Sequence, residues 1–228
     1  MYAVILAAGR GTRMGELSES SSKTMIHIDG KPKLAYTIEQ LPDEILDVVI
    51  VIGYLGDQIK EYFSDSYSGK NIHYVEQVTL DGTDGALRVC KDVLASEERF
   101  LVLNGDDLYI KRDLQRMLRY NWAILAYYSY EAKLFGIIAV DEQDNFEEIW
   151  EKSDRHSEGL VQCGAFMVGK EFFNSTPVRS SETEFGLPHT LLSLYSTHPL
   201  RVVHTDNWLP VGTPEQLQTA VEKIKEFQ

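Results

Sequence analysis

Gly9, Gly11 and Gly15 follow an apolar run of strand length, Tyr2 to Ala8, and Lys23 stands ten residues after Arg13. Glycines in such a loop let bare backbone N–H groups approach a polyphosphate without a Cβ in the way. Arg13 and Lys23 then add mobile positive charge for the same oxygens. The chemistry this suggests is the binding of a nucleoside triphosphate. Two other phosphate-binding patterns fail on their residues. A dinucleotide fingerprint needs Gly at position 14, where Met14 stands, and a P-loop needs Gly immediately before Lys23, where Ser22 stands. The formal net charge of −13 repels a triphosphate at long range. The usual remedy is a divalent cation held by carboxylates. Phe100 to Leu108 offers such a group: an apolar strand running into Gly105-Asp106, which places Asp106 at the carboxyl edge of a sheet. Asp107 beside it reads as a turn residue.

Elements able to hold these groups follow from periodicity. Strands are expected over 2–8, 47–53, 72–76 and 99–104, alternating with helices over 33–41, 55–63 and 84–95. That alternation implies an α/β fold with a mainly parallel central sheet and helices on both faces, Rossmann-like and three-layered. Beyond Asp107 the pattern is richer in strands, at 122–129, 135–140, 145–150, 161–168 and 201–204. Helices are expected at 184–195 and 214–227, the latter with Pro214 suited to a first turn. Ser153 to Gly159 reads as an exposed turn. We expect a single domain over 1–228, with a nucleotide-binding half at 1–110 and a β-rich half at 111–228 that ends in a closing helix.

Composition narrows the class of protein. A chain of 228 residues suits one well-buried domain, and 43% hydrophobic with 25% charged residues favours neither disorder nor a membrane protein. The longest apolar runs, near 3–8 and 48–52, are too short to span a bilayer, and the first lacks the basic flank of a secretory signal. A cytoplasmic location is expected. The acidic balance speaks against a nucleic-acid partner, whose phosphates must be met by Lys and Arg. Cys90 and Cys163 show no paired spacing, so neither a disulfide framework nor a zinc site is expected. The histidines form no metal-binding pair.

Leu6 through Met14 resembles the opening signature of the sugar-nucleotidyltransferase family, L-A-A-G-x-G-T-R-[LM]. Ser22-Lys23-Thr24 stands where the family shows Pro-Lys-Pro, and Lys31-Pro32 follows. The resemblance implies that Leu6, Ala8, Gly9, Gly11 and Thr12 contact the nucleotide. It also implies that Arg13 and Lys23 are catalytic, holding the phosphates and stabilising the transition state. Gln77 with Gly82-Thr83-Asp84-Gly85-Ala86-Leu87 is similar to the family's Q-x4-G-T-x-G-A-L. An amide can donate and accept together, so Gln77 could read a base edge while Gly82 and Thr83 approach the nucleoside. A Gln here goes with uracil or thymine in the family, which points to UTP or dTTP. The family's Gly-Asp motif falls on Asp106, the expected Mg²⁺ ligand. Phe135-Gly136-Ile137-Ile138 and Ile149-Trp150-Glu151-Lys152 resemble its Y-G-V-V and F-x-E-K-P. Gly136 and Glu151 would then face sugar hydroxyls, and Lys152 the sugar phosphate. Val161-Gln162-Cys163-Gly164 resembles V-N-A-G, with Gln162 replacing Asn. The largest departure is Trp208-Leu209-Pro210-Val211-Gly212-Thr213-Pro214 against W-x-D-[VI]-G-T-P, because Pro210 replaces the second metal carboxylate. Asp206 is the alternative second ligand.

The expected function is transfer of a nucleotidyl group from UTP or dTTP to a sugar 1-phosphate with Mg²⁺, by a monomer or homo-oligomer with neither nucleic-acid nor membrane partners. The chain ends at one closing helix, so the acyltransferase or hexapeptide-repeat domain of some relatives is expected to be absent. Two other readings stay open. Pro210 suits a catalytically weakened relative that binds a nucleotide or nucleotide-sugar and regulates a partner. Ser-x-x-Lys around Lys23 suits a cytidylyltransferase for an alcohol phosphate such as phosphocholine, although Gly82-Thr83 and Gly212-Thr213-Pro214 speak against it.

Overall fold

The computed structural model describes residues 1–12, 14–15, 21–151 and 157–227. Strand β1 (Tyr2–Leu6) buries side chains on both faces. Ala3 and Ile5 join Val48, Ile50, Leu101 and Leu103 on one side, and Val4 joins Val49, Val51, Phe100 and Val102 on the other. Successive strand side chains point to opposite faces, so a strand covered on both sides must be apolar at every position. This is why the central strands read as continuous apolar runs.

After β1 the chain forms a short ribbon, β2 (His27–Ile28) and β3 (Lys31–Pro32), then α1 (Lys33–Glu39), β4 (Asp47–Ile52) and α2 (Gly56–Phe63). Next come β5 (Ser66–Tyr67), β6 (Lys70–Glu76), α3 (Thr83–Arg88) and β7 (Arg99–Asn104). Strands β7, β1, β4 and β6 lie side by side and parallel, with Ala3 opposite both Val48 and Leu101. The second half runs β8 (Asp107–Leu108), α4 (Lys111–Met117), β9 (Ala123–Ser129), β10 (Gly136–Val140) and β11 (Phe146–Glu151). It continues through β12 (Gly159–Gly169), α5 (Leu187–Ser193), β13 (Arg201–Thr205), β14 (Leu209–Pro210) and α6 (Pro214–Lys223). Strand β12 runs antiparallel between β7 and β9, β13 lies parallel to β9, and the β10–β11 hairpin joins the start of β12. Both halves therefore share one ten-stranded sheet.

The closing helix α6 starts as its sequence implies, with Pro214 in the first turn and the Thr213 hydroxyl accepting from the Gln216 amide at 3.3 Å. Ala220, Ile224 and Phe227 pack on Ile28, Tyr36, Leu108, Leu209 and Val211. The C-terminus thus clamps the β2–β3 ribbon and the β8–β14 bridge, both of which adjoin the site described below.

Several boundaries differ from expectation. The helix expected over 84–95 keeps its form to Arg88 and continues as tighter turns, with the Cys90 amide bonded to the Leu87 carbonyl. Cys90 and Leu94 still reach the core, so the apolar spacing survives without the regular helix. The helix expected over 184–195 begins only at Leu187, because Pro188 lacks an N–H and fits a first turn but not an interior. Helix α4 was not anticipated; it is short, and its buried residues include only two apolar ones, Leu114 and Met117. The span expected as one helix over 214–227 divides into α6 and a closing 3₁₀ turn. The turn expected over 153–159 lies, as far as His156, outside the described residues.

Candidate active site

A cleft of about 760 Å³ opens at the carboxyl edge of the parallel strands. Its walls bring together Leu6, Ala8, Gly9, Gly11, Thr12, Lys23, Gln77, Gly82, Thr83, Asp106, Gly136 and Gln162, which are far apart in sequence. Ligands of open α/β sheets gather at this edge because the loops after successive strands meet there. The Gly105 amide donates to the Leu6 carbonyl at 3.0 Å, joining the loops after β1 and β7 directly. Arg13 and Lys152 lie outside the described residues. Of Glu151 the backbone is described, opposite Gly136 in the β10–β11 hairpin.

Two glycines explain the shape of the first loop. A Cβ built at Gly9 meets nothing within 4 Å, so the backbone there faces open cleft, as a phosphate cradle requires. Gly11 has φ of +67°, and a Cβ there would come within 2.6 Å of the Lys23 Cβ. Gly11→Ala should therefore strain the loop and displace Lys23 together, lowering stability by about 1–3 kcal/mol. A thermal melt indistinguishable from wild type would remove this account of Gly11.

Lys23 sits in a 3₁₀ turn, Lys23–Met25, and pairs with the Asp106 carboxylate. Its flanking residues explain how the turn holds without the prolines of the family pattern. The Ser22 and Thr24 hydroxyls hydrogen-bond across Lys23 at 3.2 Å, and the Ser22 amide donates to Gln58 Oε1 at 2.9 Å. Side-chain hydrogen bonds do here what ring-fixed dihedral angles do elsewhere.

The structure sharpens the reading of Gln77. Its Nε2 donates to Asp81 Oδ1 at 3.0 Å and to the Gly82 carbonyl at 3.1 Å, and both partners are acceptors, which fixes the amide's orientation. The side chain is not free to donate and accept together; the carbonyl Oε1 is the atom left for a ligand. Gln162 is the converse case, because its Oε1 accepts from the Gly164 amide at 2.7 Å and leaves Nε2 as the donor. Thr83 lines the cleft, but its hydroxyl accepts from the Leu187 amide at 2.9 Å and ties α3 to α5.

The acidic end of the cleft holds more than Asp106. Asp107 belongs to β8 and is buried, not a solvated turn residue as its sequence context suggested. Desolvation, reinforced by neighbouring Asp106, pushes its carboxyl up to about 8. Pro210 pairs with Asp107 across the β8–β14 bridge and lines the cleft without a side-chain oxygen. Asp206 is exposed and is not among the described residues of the cleft wall. Behind the bridge lies Lys33, 0% exposed, whose Nζ donates to the Val211 carbonyl at 2.8 Å. Desolvation lowers its ammonium to about 8, partly offset by Asp106 and Asp107. Among the described residues, no group of three His, Cys, Asp or Glu side chains is placed to hold a metal.

Other groups were missed in the sequence. Arg10 lies over the Tyr54 ring at 5.7 Å at the cleft mouth. Phe135 and Trp208 form an edge-on pair at 5.0 Å on the wall shared with Gly136 and Gln162. Lys33 carried a usable signal, since it opens a helix whose next residues, Leu34 and Ala35, are apolar and buried. A second cavity of about 610 Å³ is lined by Arg99, Trp122, Gly169, His198 and Arg201 and contains none of the glycine-loop residues. Among the described residues, no helix is long and apolar enough to cross a membrane.

A doubly covered, mainly parallel sheet with a glycine loop and a Lys–Asp pair at its carboxyl edge defines a nucleotide-binding α/β protein. The pattern of the nucleotidyl transferase family matches residues 2–226, and the chain belongs to that family, among its sugar-phosphate members. It is 30% identical over 223 residues to the D-glycero-alpha-D-manno-heptose 1-phosphate guanylyltransferase of Campylobacter jejuni, covering 94% of this chain and 96% of that protein. It is 28% identical over 238 residues to the UTP–glucose-1-phosphate uridylyltransferase AglF of Haloferax volcanii, covering 99% and 97%. Identity reaches 32% over 173 residues with the bifunctional protein GlmU of Methanocaldococcus jannaschii, covering 76% of this chain and 41% of that protein. The chain thus spans less than half of that relative's length. In fold it is similar to a UDP-glucose pyrophosphorylase from Acinetobacter baumanii, with a TM-score of 0.84 at 20% identity over 96% of this chain and 91% of that one.

Proposed function

We propose that this protein transfers a nucleotidyl group from UTP or dTTP to a sugar 1-phosphate, releasing pyrophosphate, in the cytoplasm. The observation that carries the proposal is the Lys23–Asp106 pair set in the same cleft as the open backbone of Gly9. An oxygen of the sugar phosphate attacks the α-phosphorus, a new phosphorus–oxygen bond forms, and the bond to the β-phosphate oxygen breaks. Such a reaction needs positioning and charge neutralisation more than covalent chemistry. Lys23, with Arg13, neutralises the triphosphate, and the loop from Leu6 to Thr12 cradles it. Gln77 offers Oε1 to a donor on the base edge, which uracil and thymine supply at N3–H. Phe135 and Trp208 offer an apolar wall to the sugar ring, and Gly136, Gln162, Glu151 and Lys152 complete the sugar-phosphate end.

The donor set fits a Mg²⁺ ion that arrives on the triphosphate, because Asp106 supplies a carboxylate while Pro210 supplies none. Mg²⁺ commonly combines one or two carboxylates with waters and phosphate oxygens. When bound it neutralises developing charge on the phosphates; Asp106 is the residue that would hold it. Pro210→Asp should add a ligand and lower the Mg²⁺ concentration for half-maximal turnover, and an unchanged Mg²⁺ dependence would mean position 210 is not beside the ion.

The deciding experiment crosses UTP, dTTP, GTP, CTP and ATP with sugar 1-phosphates and phosphocholine, and follows pyrophosphate release with Mg²⁺. Turnover with a sugar 1-phosphate and UTP or dTTP supports the proposal. Preference for GTP would overturn the base assignment, and no turnover for any pair would overturn the activity.

A further inference from the structure

We infer that Lys33 is a positioning residue that makes divalent-cation binding depend on the incoming triphosphate, through a buried ammonium tied to the Val211 carbonyl behind Asp106 and Asp107. The inference rests on the reaction proposed above and concerns the order in which its charged components are accepted.

Packing does not explain this lysine. Lys33 is fully buried at the start of α1, whose neighbouring Leu34, Ala35 and Ile38 sit in the main apolar cluster. A methionine would fill the same space, whereas an ammonium is among the costliest groups to bury. Its surroundings instead suggest an electrostatic role. The charged groups that act on it are Asp106, Asp107 and Lys23. Its hydrogen bond goes to Val211, the residue after Pro210, which itself faces Asp107 across the β8–β14 bridge. Where a carboxylate at position 210 would add negative charge, the fold presents an uncharged ring backed by a fixed cation.

The consequence differs between a free ion and a complex. A free divalent cation meets an Asp106 carboxylate already paired with Lys23 and backed by Lys33, while buried Asp107 keeps its proton up to about 8 and adds little negative charge, so the bare ion binds poorly. A cation carried on a triphosphate belongs to a complex of net negative charge, so the same lysines attract it. The site therefore refuses the bare ion and accepts the loaded one. A lysine that served only to pack α1 would have no influence on metal affinity.

The test uses Mn²⁺ as the probe, with free Mn²⁺ followed by electron paramagnetic resonance against full-length wild type, Lys33→Met and Lys33→Leu. Folding is checked by circular dichroism, and the second variant keeps the result independent of one replacement. Both variants should bind Mn²⁺ alone about tenfold or more tighter than wild type. Mn²⁺ with inorganic tripolyphosphate should bind them no tighter than wild type. Equal affinity of wild type and both variants for Mn²⁺ alone would overturn the inference, whether or not the enzyme turns over. Failure of every substrate pair alongside the expected Mn²⁺ shift would instead overturn the reaction and leave the charge role of Lys33 standing.

Discussion

Asp106→Asn is expected to reduce turnover by about two to three orders of magnitude while the protein stays folded. The replacement keeps the shape of the side chain and removes its charge, so it tests the carboxylate itself. Asp106 pairs with Lys23, and both line the cleft. Lys23→Ala should lose turnover on the same scale, because the cation beside Gly11 that pairs with Asp106 disappears. The double variant should fall well short of the product of the single losses, since groups that act as a pair are not additive. Steady-state pyrophosphate release with matched melting curves provides the measurement. Wild-type rates in either single variant would exclude that residue from the mechanism.

Lys33→Met is expected to make the protein more stable by about 2–3 kcal/mol near pH 7, enough to raise Tm by several degrees. In the unfolded chain Lys33 holds its proton to the ordinary value of 10.5, and in the folded chain only to about 8. Between these values the unfolded state binds more protons, so wild-type stability rises with pH across the window. The variant has no such group and gains nothing there. Its advantage should be full below about pH 8 and shrink towards pH 10. Chemical denaturation at a series of pH values gives the difference directly, and an advantage constant with pH would show that Lys33 is not held against a desolvation cost. A buried ammonium that costs stability fits the trade-off between stability and a functional charge.

Much of the site was legible because its residues follow strands. The run from Tyr2 reads as a strand over 2–8 feeding a glycine loop; the structure ends the strand at Leu6, and Ala7 to Gly11 form the loop at its carboxyl end. Asp106 was found by the same reasoning, from an apolar strand ending in Gly-Asp. Reading failed where a long-range contact decides a residue's state. Asp107 has the local context of a turn, and only its bridge to Pro210 shows that it is buried. Gln77 is chemically able to donate and accept, and only its bonds to Asp81 and Gly82 show which atom is left.

The sequence by itself determined the layered α/β architecture, the glycine loop after the first strand, and Lys23 and Asp106 as its candidate charged residues; only the resemblance to the family marked Pro210 as a departure. Those features depend on periodicity and on residue identity, which are local. The tertiary structure alone decided that Lys33 is a buried cation bonded to Val211 behind the β8–β14 bridge, that the Ser22 and Thr24 hydroxyls bond across Lys23, and that Asp206 is exposed. Burial and charge proximity are set by residues distant in the chain, such as Val211 against Lys33, and no local pattern encodes them.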